Sequence, residues 1–183
     1  MLVADKEELL YVLDKNGNNT GKMELRSVVH DKGLYHNEVA LWIIDKPNRR
    51  VLLQRRSPLK RSAPNMLGIV AGHVVGNDTF EETVKSECLE EIGFNIENIE
   101  LKKFFSIKMD FPNNNHYVHM FYVFASPDIS RLKIQQEEVS ELVWIDYDKL
   151  KEIAKSGSTE TVFLWNKEYR AMFALLDKII YAD

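Results

Sequence analysis

Residues 72–94 read GHVVGNDTFEETVKSECLEEIGF and carry the strongest pattern in this chain of 183 residues. The small and polar residues at the start of the stretch predict a loop, and the rest predicts a helix loaded with carboxylates. Two capping boxes are possible, one beginning at Asp78 and one at Thr79. Gly93 can adopt the left-handed conformation that ends a helix. The pattern therefore predicts a helix from just after the cap to Ile92.

The position of Glu91 on this predicted helix is unusual. On a helical wheel it falls inside the apolar stripe that contains Val84 and Cys88. A buried carboxylate is costly unless a cation or hydrogen-bond donors compensate it, and Glu87 and Glu90 add repulsion. A divalent cation would remove both penalties, and an all-oxygen site suits Mg²⁺ or Mn²⁺. The alternative that the wheel leaves open is a solvated acidic face.

The same stretch resembles the Nudix box, a long motif of glycines and glutamates at strict spacing. The positions that match the motif in register are Gly72, Glu87, Cys88, Glu90, Glu91, Gly93 and Phe94. Two positions depart from it, because Asp78 stands where the family has Glu and Ser86 stands where it has Arg. In the family this Arg helps to orient the metal-binding carboxylates, so the change at Ser86 bears on rate and metal affinity.

The resemblance extends beyond the box. The apolar run at 38–45, the Leu-Leu-Gln-Arg-Arg run at 52–56 and the segment at 137–144 also look like this family, so that residues 30–155 are involved. The resemblance implies an α/β fold, an α/β/α sandwich with a mixed sheet. It also implies a metal-dependent diphosphate hydrolase (pyrophosphohydrolase) that acts on a nucleoside diphosphate derivative or a similar small molecule.

The resemblance also assigns roles to the carboxylates of the box. Glu87 and Glu91 would bind the metal directly, with Glu90 and the main-chain carbonyl of Ala71 assisting. Glu87, Glu90 and Glu138 are the candidate catalytic residues. The general base stays open between Glu87 and a glutamate of the later loop.

In that later loop, Glu138 ranks above Glu137, and a solvated loop is the alternative for both. Four basic residues lie between the second core strand and the box, namely Arg55, Arg56, Lys60 and Arg61. Positive charge is needed there to bind a diphosphate, so all four are candidates to bind phosphate, and Arg55, Arg56 and Arg61 are taken as the substrate-binding residues. The alternative is a basic surface turn around Pro58.

The remaining chain predicts one domain over residues 1–183. Alternation and turn residues predict an N-terminal hairpin within 7–30, with its second strand at 24–29. The core is expected at about 30–155. Further strands are predicted at 38–45, 51–55, 101–109, 117–125 and 139–147. Helices are predicted at 148–155 and, at the C-terminus, 161–181.

Composition limits the partners and the compartment. Lys and Arg number 24 against 28 Asp and Glu, so the net charge of −4 argues against stable binding of nucleic acid. The sequence shows neither a leader pattern nor an apolar run that could span a bilayer, which predicts a cytoplasmic protein. Cys88 is the only cysteine, which excludes an intrachain disulfide and a cysteine zinc site. A homodimer through the hairpin or the last helix is possible.

Two alternative functions remain. The N-terminal region, including Gly-Leu-Tyr-His-Asn-Glu-Val at 33–39, resembles isopentenyl-diphosphate isomerase. That enzyme has a catalytic cysteine just before a Gly-His pair, whereas Ala71 precedes the pair here. Its catalytic glutamate lies on a later strand, where this chain has Tyr-Val-His at 117–119. The other alternative is a non-catalytic module that binds a nucleotide or metabolite, which Ser86 suggests and the three box glutamates oppose. The five histidines are scattered along the sequence, and only His73 lies in the motif.

Overall fold

The chain starts with an antiparallel hairpin of β1 (Leu9–Leu13) and β2 (Asn19–Leu25). Between them, the Asp14 carboxylate accepts hydrogen bonds from the backbone N–H groups of residues 16 and 18, as an Asx turn does. The second strand begins at Asn19 and not at 24, and the prediction is also wrong beyond residue 25, because the helix α1 (Arg26–Asp31) follows directly and buries Val29. The helix buries Val29 and leaves Val28 half-buried, so two β-branched residues do not by themselves make this segment a strand.

The computed structural model describes residues 8–111 and 113–182. The hairpin's predicted start at residue 7 and most of the segment used to argue against a leader lie outside the described residues. The remaining elements are, in chain order, β3 (His36–Asp45), β4 (Arg50–Arg56), β5 (Leu67–Gly68), β6 (Val70–His73), α2 (Phe80–Ile92), β7 (Lys102–Met109), β8 (His116–Phe124), β9 (Val139–Asp146), α3 (Tyr147–Ser156) and α4 (Lys167–Tyr181).

Strand β3 organises a seven-stranded mixed sheet. It pairs in parallel with β8, and the other strand pairings in this sheet are antiparallel. Two strands share the other side of β3, because β4 pairs with residues 43–45 and β6 pairs with residues 38–41. Beyond its pairing with β3, strand β4 pairs with β5 at residues 54 and 55, and β9 pairs with β4 from residue 50 to residue 56. On this side of β3 the sheet therefore splits into two branches, one that begins with β4 and one formed by β6, with a gap between them.

Each face of the sheet carries its own apolar core, as the alternation of side chains along β3 requires. Trp42 and Ile44 belong to the core shared with α3 and α4, whereas Leu41 and Ile43 belong to the core shared with α2. Helices therefore cover both faces, which confirms the predicted α/β/α sandwich with a mixed sheet.

Two local predictions are corrected. Residues 72 and 73 of the predicted loop belong to strand β6, since they pair with β3. The last helix begins at Lys167 and not at 161, because Asn166 caps it by accepting the N–H of Tyr169 at 2.9 Å. Before the cap, the backbone of Val162 bonds to Leu67, which keeps this segment extended beside β5. None of the described helices is both long and apolar enough to span a membrane.

Candidate metal centre and active site

Helix α2 is bounded by strong signals at both ends. Thr79, and not Asp78, forms the capping box, since its hydroxyl accepts the N–H of Glu82 and the Glu82 carboxylate accepts the N–H of Thr79. Gly93 ends the helix with a φ of 67°, and a β-carbon there would lie 2.8 Å from the carbonyl oxygen of Lys133. The predicted helix is confirmed, and these two caps fix where it begins and ends.

Glu91 is buried in the gap between β4 and β6, with only 6% of its surface exposed. Gln54 donates to its carboxylate at 2.8 Å, and the backbone N–H of Ala71 donates at 3.4 Å. Burial nevertheless raises the pKa of Glu91 to about 7, because these two donors compensate the lost hydration incompletely. The wheel prediction that Glu91 lies on the buried face is thus confirmed.

Glu87 lies against the backbone of β6. A β-carbon added at Gly72 would overlap the Glu87 carboxylate, so only glycine leaves room for it. Glu90 lies on the exposed side of the helix end. The structure therefore brings Glu87 and Glu91 to the Ala71–Gly72 backbone, whereas Glu90 is exposed.

These residues fit a hard divalent cation. They supply two carboxylates and a strand backbone, and the buried Oε1 of Gln54 has no hydrogen-bond partner among the described residues. An orphaned acceptor beside a carboxylate of raised pKa is the environment that a cation or its bound water would satisfy.

Glu138 lies near this centre and is half-buried, whereas Glu137 is exposed. Lys60 forms an ion pair with the Glu138 carboxylate. The negative charge of Glu138 also acts on Glu91, where it opposes ionisation, and the charge of Lys60 favours it. This placement favours Glu138 over Glu137 as a member of the site.

The predicted substrate-binding arginines already have protein partners. Arg55 donates to Glu141 at 2.8 Å, and Arg56 donates to the carbonyl oxygen of Ser62 at 3.1 Å. Arg61 is exposed on the same turn. Contact of Arg55, Arg56 or Arg61 with a substrate stays a prediction.

Four of the scattered histidines meet around Glu38. The Nε2 atoms of His36, His73 and His116 lie 3.2, 3.5 and 3.7 Å from its carboxylate oxygens, and His30 Nε2 lies 3.1 Å from His73 Nε2. Burial opposes ionisation of Glu38, but the charges and hydrogen bonds of the imidazoles outweigh it and lower the pKa of Glu38. Burial lowers the pKa of His73 well below its usual value.

Imidazole nitrogens beside a carboxylate are a donor set that suits a transition metal. Sequence reasoning missed this cluster. The alternation of His36 and Glu38 on one face of β3 was a usable signal, but their neighbours come from the register of β3 with β6 and β8. His119 lies elsewhere, stacked on Phe80 with ring centroids 3.9 Å apart.

A cavity of about 280 Å³ opens beside the first half of α2, a volume at the lower end for small-molecule sites. Its lining comes from the hairpin, β3 and the loop before the helix, and comprises Tyr11, Asn19, Asn37, Val74, Gly76, Asn77, Asp78 and Phe80. None of the box glutamates lines it, so the cavity and the carboxylates lie at different parts of the same helix.

The geometry defines a class of protein, an α/β/α sandwich whose carboxylate-bearing helix packs beside the divided edge of a mixed sheet. Residues 34–165 match the model of the NUDIX domain. The chain therefore belongs to the Nudix hydrolase family, as the resemblance predicted.

Two relatives and one solved structure illustrate the match. An uncharacterized Nudix hydrolase of Clostridium acetobutylicum is 29% identical over 97% of this chain and 89% of its own length. An isopentenyl-diphosphate Delta-isomerase of Photorhabdus laumondii is 24% identical over 88% of this chain and 90% of its own. A crystal structure from Deinococcus radiodurans superposes with a TM-score of 0.71 at 17% identity, covering 92% of this chain and 99% of that one, which shows the shared fold. Family membership supports a hydrolase.

Proposed function

We propose that this protein is a Mg²⁺- or Mn²⁺-dependent hydrolase that cleaves a diphosphate bond in a nucleoside diphosphate derivative or a similar small molecule. The observation that carries the proposal is the burial of Glu91 beside Glu87 and the β6 backbone. A buried carboxylate of raised pKa, in a motif shared with a family of hydrolases, is explained by a cation that binds there.

In this proposal, Glu87 and Glu91 hold the cation, with Glu90 and the carbonyl of Ala71 assisting. When bound, it supplies charge neutralisation of the diphosphate oxygens during in-line attack by water. Gln54 orients the Glu91 carboxylate through its 2.8 Å hydrogen bond. Glu138 would accept a proton from the attacking water in this proposal. Arg55, Arg56 and Arg61 would bind phosphate by exchanging their present partners.

The isomerase alternative needs a proton donor where this chain has Ala71, whose methyl group cannot donate. A non-catalytic binding module would also use the carboxylates to hold a cation, and it differs only in the lack of turnover. Measurement of turnover therefore distinguishes all three functions.

The test is phosphate or nucleotide release from a panel of diphosphate compounds that includes isopentenyl diphosphate, with Mg²⁺ or Mn²⁺. We expect metal-dependent cleavage, lowered by about 10³-fold in Glu91→Gln, since metal and electrostatic groups contribute several kcal/mol. Glu81→Gln is the matched control, because Glu81 is exposed in the first turn of the same helix. Undiminished turnover in Glu91→Gln, or isomerised product without hydrolysis, would contradict the proposal.

A further inference from the structure

The ion pair of Lys60 and Glu138 connects two loops beside the proposed centre. The two side chains are 20% and 29% exposed, so both are largely withdrawn from water. The backbone supports the pair, because Ser57 donates its N–H to the carbonyl of Glu138 at 2.9 Å and Lys60 donates its N–H to the carbonyl of Ser57 at 3.1 Å. The ammonium is thus held beside this carboxylate by a short turn.

The same ammonium acts on the carboxylate of Glu91. The charge of Glu138 raises the pKa of Glu91 and the charge of Lys60 lowers it, so the three groups share one electrostatic environment. Arg55 and Arg56 of the same region bond instead to Glu141 and to Ser62, outside the proposed centre. Lys60 is therefore a basic side chain of this region that the structure ties to a carboxylate beside the centre.

We propose that Lys60 is an internal counter-ion that the divalent cation displaces from Glu138 and that a phosphate group of the substrate then binds. The inference rests on the proposed function and adds an order of events to it. A cation held by Glu87 and Glu91 beside Glu138 would repel the ammonium of Lys60, and the four-carbon stem of lysine allows the ammonium to move. The displaced ammonium of Lys60 then binds a phosphate group of the substrate, which the reaction requires beside the same cation.

This exchange predicts effects of opposite sign in Lys60→Met. Without substrate, Mg²⁺ should bind about fivefold more tightly by isothermal titration, because a competing positive charge is gone. The KM for the diphosphate substrate found in the panel should rise about tenfold or more, because a phosphate contact is lost. If Lys60 only supported the local structure, its replacement would weaken Mg²⁺ binding or leave it unchanged. Either result in a folded variant would therefore overturn the proposed exchange.

Two controls isolate the position from the loss of a charge. Lys60→Arg should restore the KM largely and return Mg²⁺ affinity towards that of the wild type. Lys102→Met is the matched control, because Lys102 also forms an ion pair, with Glu100, at an exposed site. It should change neither quantity, and a similar gain of Mg²⁺ affinity there would show that net charge alone is responsible.

A measurement on the unaltered protein keeps the proposal testable if Lys60→Met does not fold. Acylation of lysines, followed by mass spectrometry, should show faster labelling of Lys60 when Mg²⁺ is added and protection when methylenediphosphonate follows. The same rate of Lys60 labelling with and without Mg²⁺ would overturn the proposed exchange. The proposed hydrolase function would still stand after such a result if the wild type binds Mg²⁺ and turns over substrate. Absence of Mg²⁺ binding would contradict both the exchange and the proposed function.

Discussion

At the residue scale, burial of Glu91 makes the stability of the metal-free protein depend on pH. Its pKa is raised from 4.5 to about 7 in the folded state, so this carboxyl contributes full stability below about pH 4.5 and loses it as pH rises through 7. The loss amounts to about 3 kcal/mol at most. In EDTA, Glu91→Gln should therefore match the wild type near pH 4.5 and exceed its free energy of unfolding at pH 8.

Urea unfolding of both proteins at the two pH values measures this difference. Addition of Mg²⁺ should reverse the order at pH 8, since the cation stabilises only the protein that binds it. A Gln variant that is less stable than the metal-free wild type at pH 8 would show that the Glu91 carboxylate is adequately compensated by Gln54 and Ala71.

Gly72 gives a second residue-scale prediction. A methyl group at this position overlaps the carboxylate of Glu87, which is the far end of a flexible side chain and can move aside. Gly72→Ala should therefore change the free energy of unfolding by less than about 1 kcal/mol, yet weaken Mg²⁺ binding by about tenfold or more. Calorimetric titration beside denaturant unfolding separates the two effects, and unaltered Mg²⁺ affinity would exclude Glu87 as a ligand.

At the scale of elements, helix α2 depends on its capping box at one end and bears the proposed ligands at the other. Thr79→Ala removes the hydroxyl that accepts the N–H of Glu82, and should lower the free energy of unfolding by about 1 kcal/mol. Mg²⁺ affinity of the folded protein should stay as in the wild type, because Glu87 and Glu91 lie two or more turns away. A loss of metal affinity would show that fraying of the first turn reaches the centre.

At the scale of the whole molecule, α4 is part of the main core. Phe173 is 1% exposed, and its ring centroid lies 5.5 Å from that of Trp165 and 6.4 Å from that of Trp42 on the central strand. Phe173→Ala should therefore lower the free energy of unfolding by about 3–5 kcal/mol. Leu164→Ala is the matched control, since Leu164 is 46% exposed and should change stability by less than about 0.5 kcal/mol. Equal effects would mean that α4 packs loosely.

The sequence by itself determined those features whose physical cause is local. Capping residues, the left-handed glycine and the periodicity of apolar residues act within a few turns, so helix α2 and the burial of Glu91 were predicted correctly. The long apolar run of β3 was equally clear, and the spacing of the glutamates identified the family. Even locally, the choice between Asp78 and Thr79 as the cap needed the structure.

Only the tertiary structure decided which distant residues meet. The register of β3 with β6 and β8 brings His73 and His116 to Glu38, and the division between β4 and β6 brings Gln54 to Glu91. The contact of Lys60 with Glu138 spans 78 positions of the chain. Such contacts depend on strand pairing over long separations, which adjacent residues do not encode, and for this reason the surroundings of the predicted carboxylates could not be predicted from the sequence.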